Sequence, residues 1–420
     1  MSILIKDVLH RGRPTNVYLE DNLIADIGPV VEADRTIEGD DLALLPGLVN
    51  THTHAAMTLF RSYADDMELH EWLREKIWPI EAKLTPDDIY WGTRLACLEM
   101  IRSGTTCFND MYFHLDMQAK AVLESGMRAV LSEGFIDIPK PEAGEELLTR
   151  SVELIGGVRN LNCDRIKPAL GPHALYTVSK QSLERMKEIS DDQDLLVHIH
   201  LSETKEEVDN CLKEYGKSPV RFLEEIGFLG PRLLVAHSVW LDEKEIGILA
   251  KADVKISHNP VSNMKLAVGK AIPYSEMRKA GLNISLGTDG CASNNNLDMF
   301  ESMKFAALLQ KFSSNDSTIM PASEVFQLAT INGAQALGFD AGVIEVGKLA
   351  DLMLIDTGAP SFHPSHDLIS NVVYSANGSC VDTVICDGEI LMREGVVKDQ
   401  EEIIVGANKA MERLLQDNEG

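Results

Sequence analysis

At 420 residues the chain exceeds the size at which a single hydrophobic core stops growing, so one large barrel with an appended domain, or two domains, is expected. Hydrophobic residues make up 45% and charged residues 25%, with 16 Pro and 30 Gly, the proportions of a soluble globular protein and not of a disordered or fibrous one. The formal charge of −26 repels phosphate backbones and anionic membranes, and no basic patch offsets it, which excludes a nucleic-acid polymer or a membrane as partner.

The chain opens on Met1-Ser2-Ile3 without a basic region followed by a long apolar run, and no stretch approaches the ~18 apolar residues of a membrane span, so a cytoplasmic protein is expected. Up to residue 47, short apolar runs such as Ile3-Leu4-Ile5 and Val17-Tyr18-Leu19 alternate with turn residues and predict small antiparallel strands. The same texture returns in Ala350 to Ile355 and in Asp382 to Gly388, so residues 1–47 and 345–400 are expected to build one small β-sandwich from both ends. Between them, residues 48–344 alternate apolar runs with long amphipathic segments, the pattern of an α/β fold with a parallel sheet and helical crossovers. About eight such strands, near 44–49, 105–110, 128–134, 165–170, 194–200, 232–237, 254–257 and 283–288, match a (β/α)8 TIM barrel. Residues 401–420 read as an exposed, charge-rich terminal helix. The seven cysteines (Cys97, Cys107, Cys163, Cys211, Cys291, Cys380, Cys386) are scattered without a C-x-x-C pair, which argues against both a disulfide framework and a thiolate zinc site.

The unusual polar residues fall at the C-terminal ends of those strands, the face where barrel enzymes carry their chemistry: His52 and His54, Asp110, His173, His200 with Glu203, His237, His258 with Asn259, and Asp289. Two histidines at i and i+2 on a strand project to the same side, so His52 and His54 can reach one metal. An isolated H-x-H is more often a pair of packed histidines. Here His200 and Asp289 follow at later strand ends, and the four supply the N and O ligands of a zinc ion with one position left for water. Glu203 stands just past its strand, where a carboxylate can lean over such a water; its alternative role is that of a first-turn acid favoured by the helix dipole. His198 faces the same side as His200 and reads as an interior hydrogen-bonding residue.

As a set, these pieces resemble the amidohydrolase superfamily: Pro46 to His54, Gly104-Thr105-Thr106, His200 to Thr204, Val235-Ala236-His237, Ser257 to Pro260, Gly287 to Gly290 and Asn332 to Gly338. Trp78-Pro79-Ile80-Glu81 and Gly171-Pro172-His173-Ala174 make the chain most similar to the methylthioadenosine/S-adenosylhomocysteine and 5′-deoxyadenosine deaminases. The resemblance implies one Zn2+ per subunit (Fe2+, Co2+ or Mn2+ as substitutes) on His52, His54, His200 and Asp289, with no lysine after the fourth strand to carry a second metal. It further implies Glu203, His237 and Asp289 as catalytic residues, and Glu81, His173, Glu203 and Asp289 as substrate contacts. The implied reaction is hydrolytic deamination of an adenosine-type nucleoside by a homo-oligomer, a tetramer. One departure stands out. Arginines that would grip an amino-acid carboxylate after the third strand are replaced by Glu133 and Asp137, with Arg150 the next arginine, which favours 5′-deoxyadenosine or methylthioadenosine over S-adenosylhomocysteine. A guanine deaminase or chlorotriazine hydrolase would share the metal set without Glu81 and His173; a non-catalytic barrel would lack a ligand or Glu203, and this sequence lacks none.

Overall fold

In the computed structural model, which describes residues 1–416, eight strands lie side by side in chain order. They are Leu48–Thr53, Thr105–Tyr112, Arg128–Phe135, Ile166–Pro172, Leu196–Leu201, Leu233–His237, Lys255–His258 and Asn283–Leu286, and every printed ladder between neighbours is parallel. Helices follow the strands, such as Pro86–Arg102, Leu115–Ser125 and Gly144–Arg159, and the barrel of a TIM fold results.

The first strand differs from its expected span. Residues 44–49 belong to two strands, Leu42–Pro46 in a second sheet and Leu48–Thr53 in the barrel, because the chain turns from one sheet to the other at Gly47. A Cβ at Gly47 would stand 2.3 Å from Thr106 Oγ1, so only glycine lets the turn lie this close to the next strand. The buried Asn50-Thr51 pair in this otherwise apolar strand also has a purpose. Asn50 Nδ2 donates to Thr288 Oγ1 at 2.7 Å, Thr288 N–H donates to Asn50 Oδ1 at 3.0 Å, and Thr51 Oγ1 donates to the Leu286 carbonyl at 2.9 Å. Side chains thus join the first barrel strand to the last and satisfy polar groups that burial would otherwise leave unpaired.

The second sheet draws strands from both ends of the chain. Leu42–Pro46 pairs antiparallel with Leu352–Asp356, and the apolar core there combines Ile3, Ile5, Val17, Leu19 and Ile24 with Leu352, Leu354 and Ile385. The sandwich is not wholly antiparallel as expected: Arg35–Glu38 runs parallel to Ser2–His10, because residues 28–34 carry the chain back across the sheet before it pairs. A buried arginine ties sandwich to barrel. Arg128 donates to Asp351 at 2.7 and 3.1 Å and to Asp387 at 2.8 Å.

The terminal helix spans Gln400–Gln416; residues 417–420 of the expected segment lie outside the described residues. It is docked, not merely exposed: Ile403, Gly406, Ala407, Ala410 and Leu414 are buried, and Gly406 lies against the Trp91 ring of the helix Pro86–Arg102. Seven unpaired cysteines are present, all but Cys163 buried. No described helix is long and apolar enough to cross a membrane.

Candidate active site

His52 is the last-but-one residue of its strand and His54 follows it, while His200, His237 and Asp289 stand at the ends of the fifth, sixth and eighth strands. All reach the C-terminal end of the barrel. Asp110 fixes the turn after the first strand, its Oδ1 accepting from Thr53 Oγ1 at 2.6 Å and from Ala55 N–H at 2.7 Å. His237 and Asp289 take left-handed backbone angles, φ 68° and 67°. Such conformations are unfavourable for residues with a Cβ and persist where surrounding contacts hold them, commonly at functional sites.

The imidazoles are oriented from behind. His54 Nδ1 lies 2.7 Å from the Met111 carbonyl and His200 Nδ1 2.7 Å from the His173 carbonyl, so in both rings Nδ1 carries the proton and Nε2 a lone pair. Those two Nε2 atoms are 3.2 Å apart. Two lone pairs at that distance repel; they need a shared electrophile between them. His52 Nδ1 is engaged by His198 Nε2 at 2.8 Å, which in turn contacts Asn109 through Nδ1 at 3.0 Å, and the buried His52 Nε2 has no hydrogen-bond partner. Asp289 Oδ1 lies 3.4 Å from His52 Nε2 and 3.5 Å from His54 Nε2. The ligand atoms of His52, His54 and His200, and those of His52, His237 and Asp289, each fall within 4.8 Å of one another. The donor set therefore fits a divalent cation: three imidazole nitrogens and a carboxylate oxygen, with neutral rings and no sulfur. Burial keeps His52 neutral by lowering it to about 4, and it lowers His200 well below the usual histidine range. Burial works to raise Asp289, yet His52, His54 and His237 together hold its carboxyl well below the ordinary range.

His237 is aimed by Asn263, whose Oδ1 lies 2.8 Å from His237 Nδ1, leaving Nε2 3.9 Å from Asp289 Oδ2. Ser262 Oγ donates to the same Asp289 Oδ2 at 2.6 Å, so Oδ1 is the oxygen left to face His52 and His54. Glu203 Oε1 sits 3.8 Å from His237 Nδ1. A cavity opens over this cluster, lined by His54, His200, His237, Asp289, Glu203, His173 and Glu81 on its polar side. Leu69, Trp72, Leu73, Ile77, Trp78 and Leu266 form the apolar wall, most of it on the segment that crosses the barrel end between Phe60 and Pro86. His173 Nδ1 lies 2.9 Å from Thr177 Oγ1, whose own proton goes to the Ala174 carbonyl, so His173 Nε2 is an acceptor. Burial lowers His173 to about 3 and raises Glu81 to about 7, the latter against the hydrogen bond it accepts from Tyr112 Oη at 2.6 Å.

The two acids after the third strand have different fates. Asp137 is buried and spent on structure, accepting from Ser179 N–H at 2.7 Å and from the hydroxyls of Ser179 and Ser182 at 2.6 Å each. It lines neither the main cavity nor the adjoining one, so it does not face a bound substrate as expected from sequence. Glu133 also serves the backbone, its Oε2 accepting from Leu115 N–H at 2.7 Å, but it lines with Arg150 an adjoining cavity that shares Trp78, Glu81, Phe113, Gly134 and Ile136 with the main one.

The residues expected as ligands, catalytic groups or substrate contacts, His52, His54, Glu81, His173, His200, Glu203, His237 and Asp289, are brought to this one end of the barrel. Tyr112, Ser262 and Asn263 were missed. The last two follow Ser257-His258-Asn259-Pro260 on the short helix Pro260–Lys265, and their polarity so soon after a strand end was the available signal.

Residues 43–391 match the model of the amidohydrolase family. The chain belongs to that family. It is 50% identical to a 5′-deoxyadenosine deaminase of Methanoregula boonei, over 99% of this chain and 96% of the relative. It is 52% identical to 5-methylthioadenosine/S-adenosylhomocysteine deaminase 1 of Archaeoglobus fulgidus, over 95% of each. Among solved structures, a zinc-bound adenosine deaminase of Xanthomonas campestris superposes with a TM-score of 0.93 at 36% identity, covering 99% of this amidohydrolase and 98% of that chain.

Proposed function

We propose that this amidohydrolase deaminates adenosine-type nucleosides hydrolytically to inosine analogues and ammonia, 5′-deoxyadenosine foremost, then methylthioadenosine, S-adenosylhomocysteine and adenosine. The observation that carries the reading is that Glu203, Glu81 and His173 line one cavity with the His/Asp cluster, so groups suited to a purine and a ribose share the space above a metal-fitting donor set. The deaminase relatives at about half identity support it. His52, His54, His200 and Asp289 hold one Zn2+, for which Fe2+, Co2+ or Mn2+ can substitute; the zinc of the Xanthomonas campestris structure supports that choice. When bound, the ion supplies a water activated near neutral pH.

The chain's own residues do the rest. Asp289 takes a proton from the attacking water, Glu203 gives one to purine N1 as attack on C6 pushes electrons onto that nitrogen, His237 steadies the oxygen forming on C6, and the proton on Asp289 passes to the departing amine. Collapse of the tetrahedral carbon expels ammonia. Glu81 accepts from the ribose hydroxyls, which suits a carboxylate able to take two donors. The apolar wall of Leu69, Trp72 and Leu73 suits an uncharged 5′ end, and Glu133 beside Arg150 disfavours a 5′ carboxylate, now without help from Asp137. The reading takes residues 48–344 as the catalytic barrel, 1–47 with 345–400 as a separate sandwich, and 401 onward as the terminal helix. A cytoplasmic homotetramer belongs to the same proposal, on family resemblance.

The test is loss of adenine absorbance when metal-loaded protein meets equal concentrations of 5′-deoxyadenosine, methylthioadenosine, S-adenosylhomocysteine, adenosine and guanine. Leading turnover of 5′-deoxyadenosine with S-adenosylhomocysteine trailing supports the whole reading. Turnover of guanine alone leaves the barrel and metal set intact and removes the nucleoside assignment.

A further inference from the structure

A threonine followed three residues later by an acid marks a capping box, in which the acid turns back to the backbone N–H of the capping residue itself. Two helices of this chain behave so. Asp88 accepts from Thr85 N–H at 2.7 Å, and Glu245 accepts from Asp242 N–H at 2.8 Å. Thr204-Lys205-Glu206-Glu207 carries the same pattern at the head of the helix Lys205–Tyr215, and Thr204 Oγ1 accepts from Glu207 N–H at 3.1 Å as a cap should.

The acid nonetheless goes elsewhere. Glu207 passes over its own cap residue and spends one oxygen on each of the two preceding amides: Oε1 accepts from Ser202 N–H at 2.8 Å, Oε2 from Glu203 N–H at 2.7 Å. It is 5% exposed, and Ser202 between strand and helix holds a left-handed φ of 50°, a conformation that a residue with a Cβ avoids unless it is held. The next side chain along is Glu203, which lines the cavity beside His237.

We propose that Glu207 is a positioning residue for Glu203: its two-handed grip on the amides of residues 202 and 203 holds the turn that aims the Glu203 carboxylate into the cavity. The inference rests on the proton-transfer role given to Glu203 above. A helix cap alone would need Glu207 only at Thr204; gripping the two peptide N–H groups that flank Ser202, the second of them that of Glu203 itself, is what a device for setting Glu203 requires. Glu207→Gln breaks the device at a known point, because an amide NH2 replaces one acceptor and then confronts a backbone N–H.

The experiment is a double-mutant cycle on metal-loaded protein with Glu203→Gln and Glu207→Gln, reading kcat, KM and metal content. Glu207→Gln alone is expected to lower kcat by about 10- to 100-fold, the cost of misplacing a catalytic group by roughly 1 Å, with metal retained and KM little changed. In the Glu203→Gln background the same change is expected to cost less than about twofold, since the two act as one unit. Equal losses in both backgrounds overturn the proposal and leave Glu207 a structural cap. Glu207→Asp, which keeps the charge but withdraws it by one methylene, enters the same cycle in place of a Gln variant that does not fold. Crystal structures of parent and Glu207 variant decide independently of turnover: a Ser202 angle outside the left-handed region and a Glu203 carboxylate moved from His237 are expected, and an unchanged turn overturns the proposal. A parent that deaminates none of the nucleosides removes the reaction proposed above, while the crystal comparison still decides the role of Glu207.

Discussion

The polar floor of the cavity and its apolar wall are built on different principles. The floor is set on strand ends, and its side chains are fixed from behind: His54 and His200 by backbone carbonyls, Asp289 by Ser262, His237 by Asn263. The wall and Glu81 ride on the short helical pieces Leu69–Trp72, Leu73–Ile77 and Trp78–Glu81, tied down by Tyr112 and by the pairing of Lys265 with Asp65 at 2.5 Å. Groups that must meet a reacting atom stand on the stiffest part of the fold, and groups that choose the substrate stand on the part most easily rebuilt. Chemistry and specificity are thereby separable by mutation.

Stripping the floor gives the largest effect. Chelation, or His200→Ala, is expected to reduce kcat/KM by about 10³-fold or more, several kcal/mol of barrier, with metal content and turnover falling together; zinc restores activity to the chelated parent but not to the variant. Glu203→Gln is next. It is expected to keep its metal, measured by elemental analysis, while kcat drops by about 10²- to 10⁴-fold; loss of metal would place Glu203 among the ligands instead. Ser262→Ala leaves the four proposed ligands in place but frees Asp289 Oδ2, and a loss of about 10- to 100-fold in metal affinity or turnover is expected from chelator competition and steady-state rates.

The wall shows itself in KM. Glu81→Gln is expected to raise KM for nucleosides by roughly tenfold with kcat nearly unchanged, the worth of one charge-assisted hydrogen bond. Its raised value sets the pH dependence: Glu81 is the carboxylate above about 7 and the acid below, so nucleoside KM is expected to fall as pH rises through that value and to lose the step in Glu81→Gln. The smallest effect is assigned to Lys265→Met at the wall's tie, a partly exposed ion pair worth about 0 to 1 kcal/mol: Tm shifts by no more than a few degrees and kcat stays within about twofold. A large kcat loss there would show that floor and wall are coupled after all.

The same contrast governs what could be read from sequence. The barrel was legible because its buried strands are continuous apolar runs at regular spacing, and the polar residues closing each run stood out against them. Where the pattern was mixed, it misled. The run at 44–49 conceals a change of sheet at Gly47, which periodicity does not register, and the terminal helix carries enough charge to hide a buried face centred on Gly406 and Ala407. Asp137 looked like a site residue by position, but serine hydroxyls 42 and 45 residues later consume it, a long-range fact that local sequence does not hold. Tyr112 escaped for the reverse reason. An aromatic at the end of a buried strand looks like core until Glu81 is found at its hydroxyl.

The pairing of Leu42–Pro46 with Leu352–Asp356 has a consequence for how the molecule is made. Met353 lies opposite Leu45, so the early strand, paired on its other edge with Ser2–His10, keeps this edge open until more than three hundred further residues have been synthesised. Loop-closure entropy over so long a span is only weakly dependent on length, but non-local pairing is slow and leaves an apolar edge open to other chains while it waits. Association of incomplete chains through that edge is therefore expected to limit overproduction, and slower synthesis or lower temperature is expected to raise the yield of folded protein, measured as the fraction remaining in the supernatant.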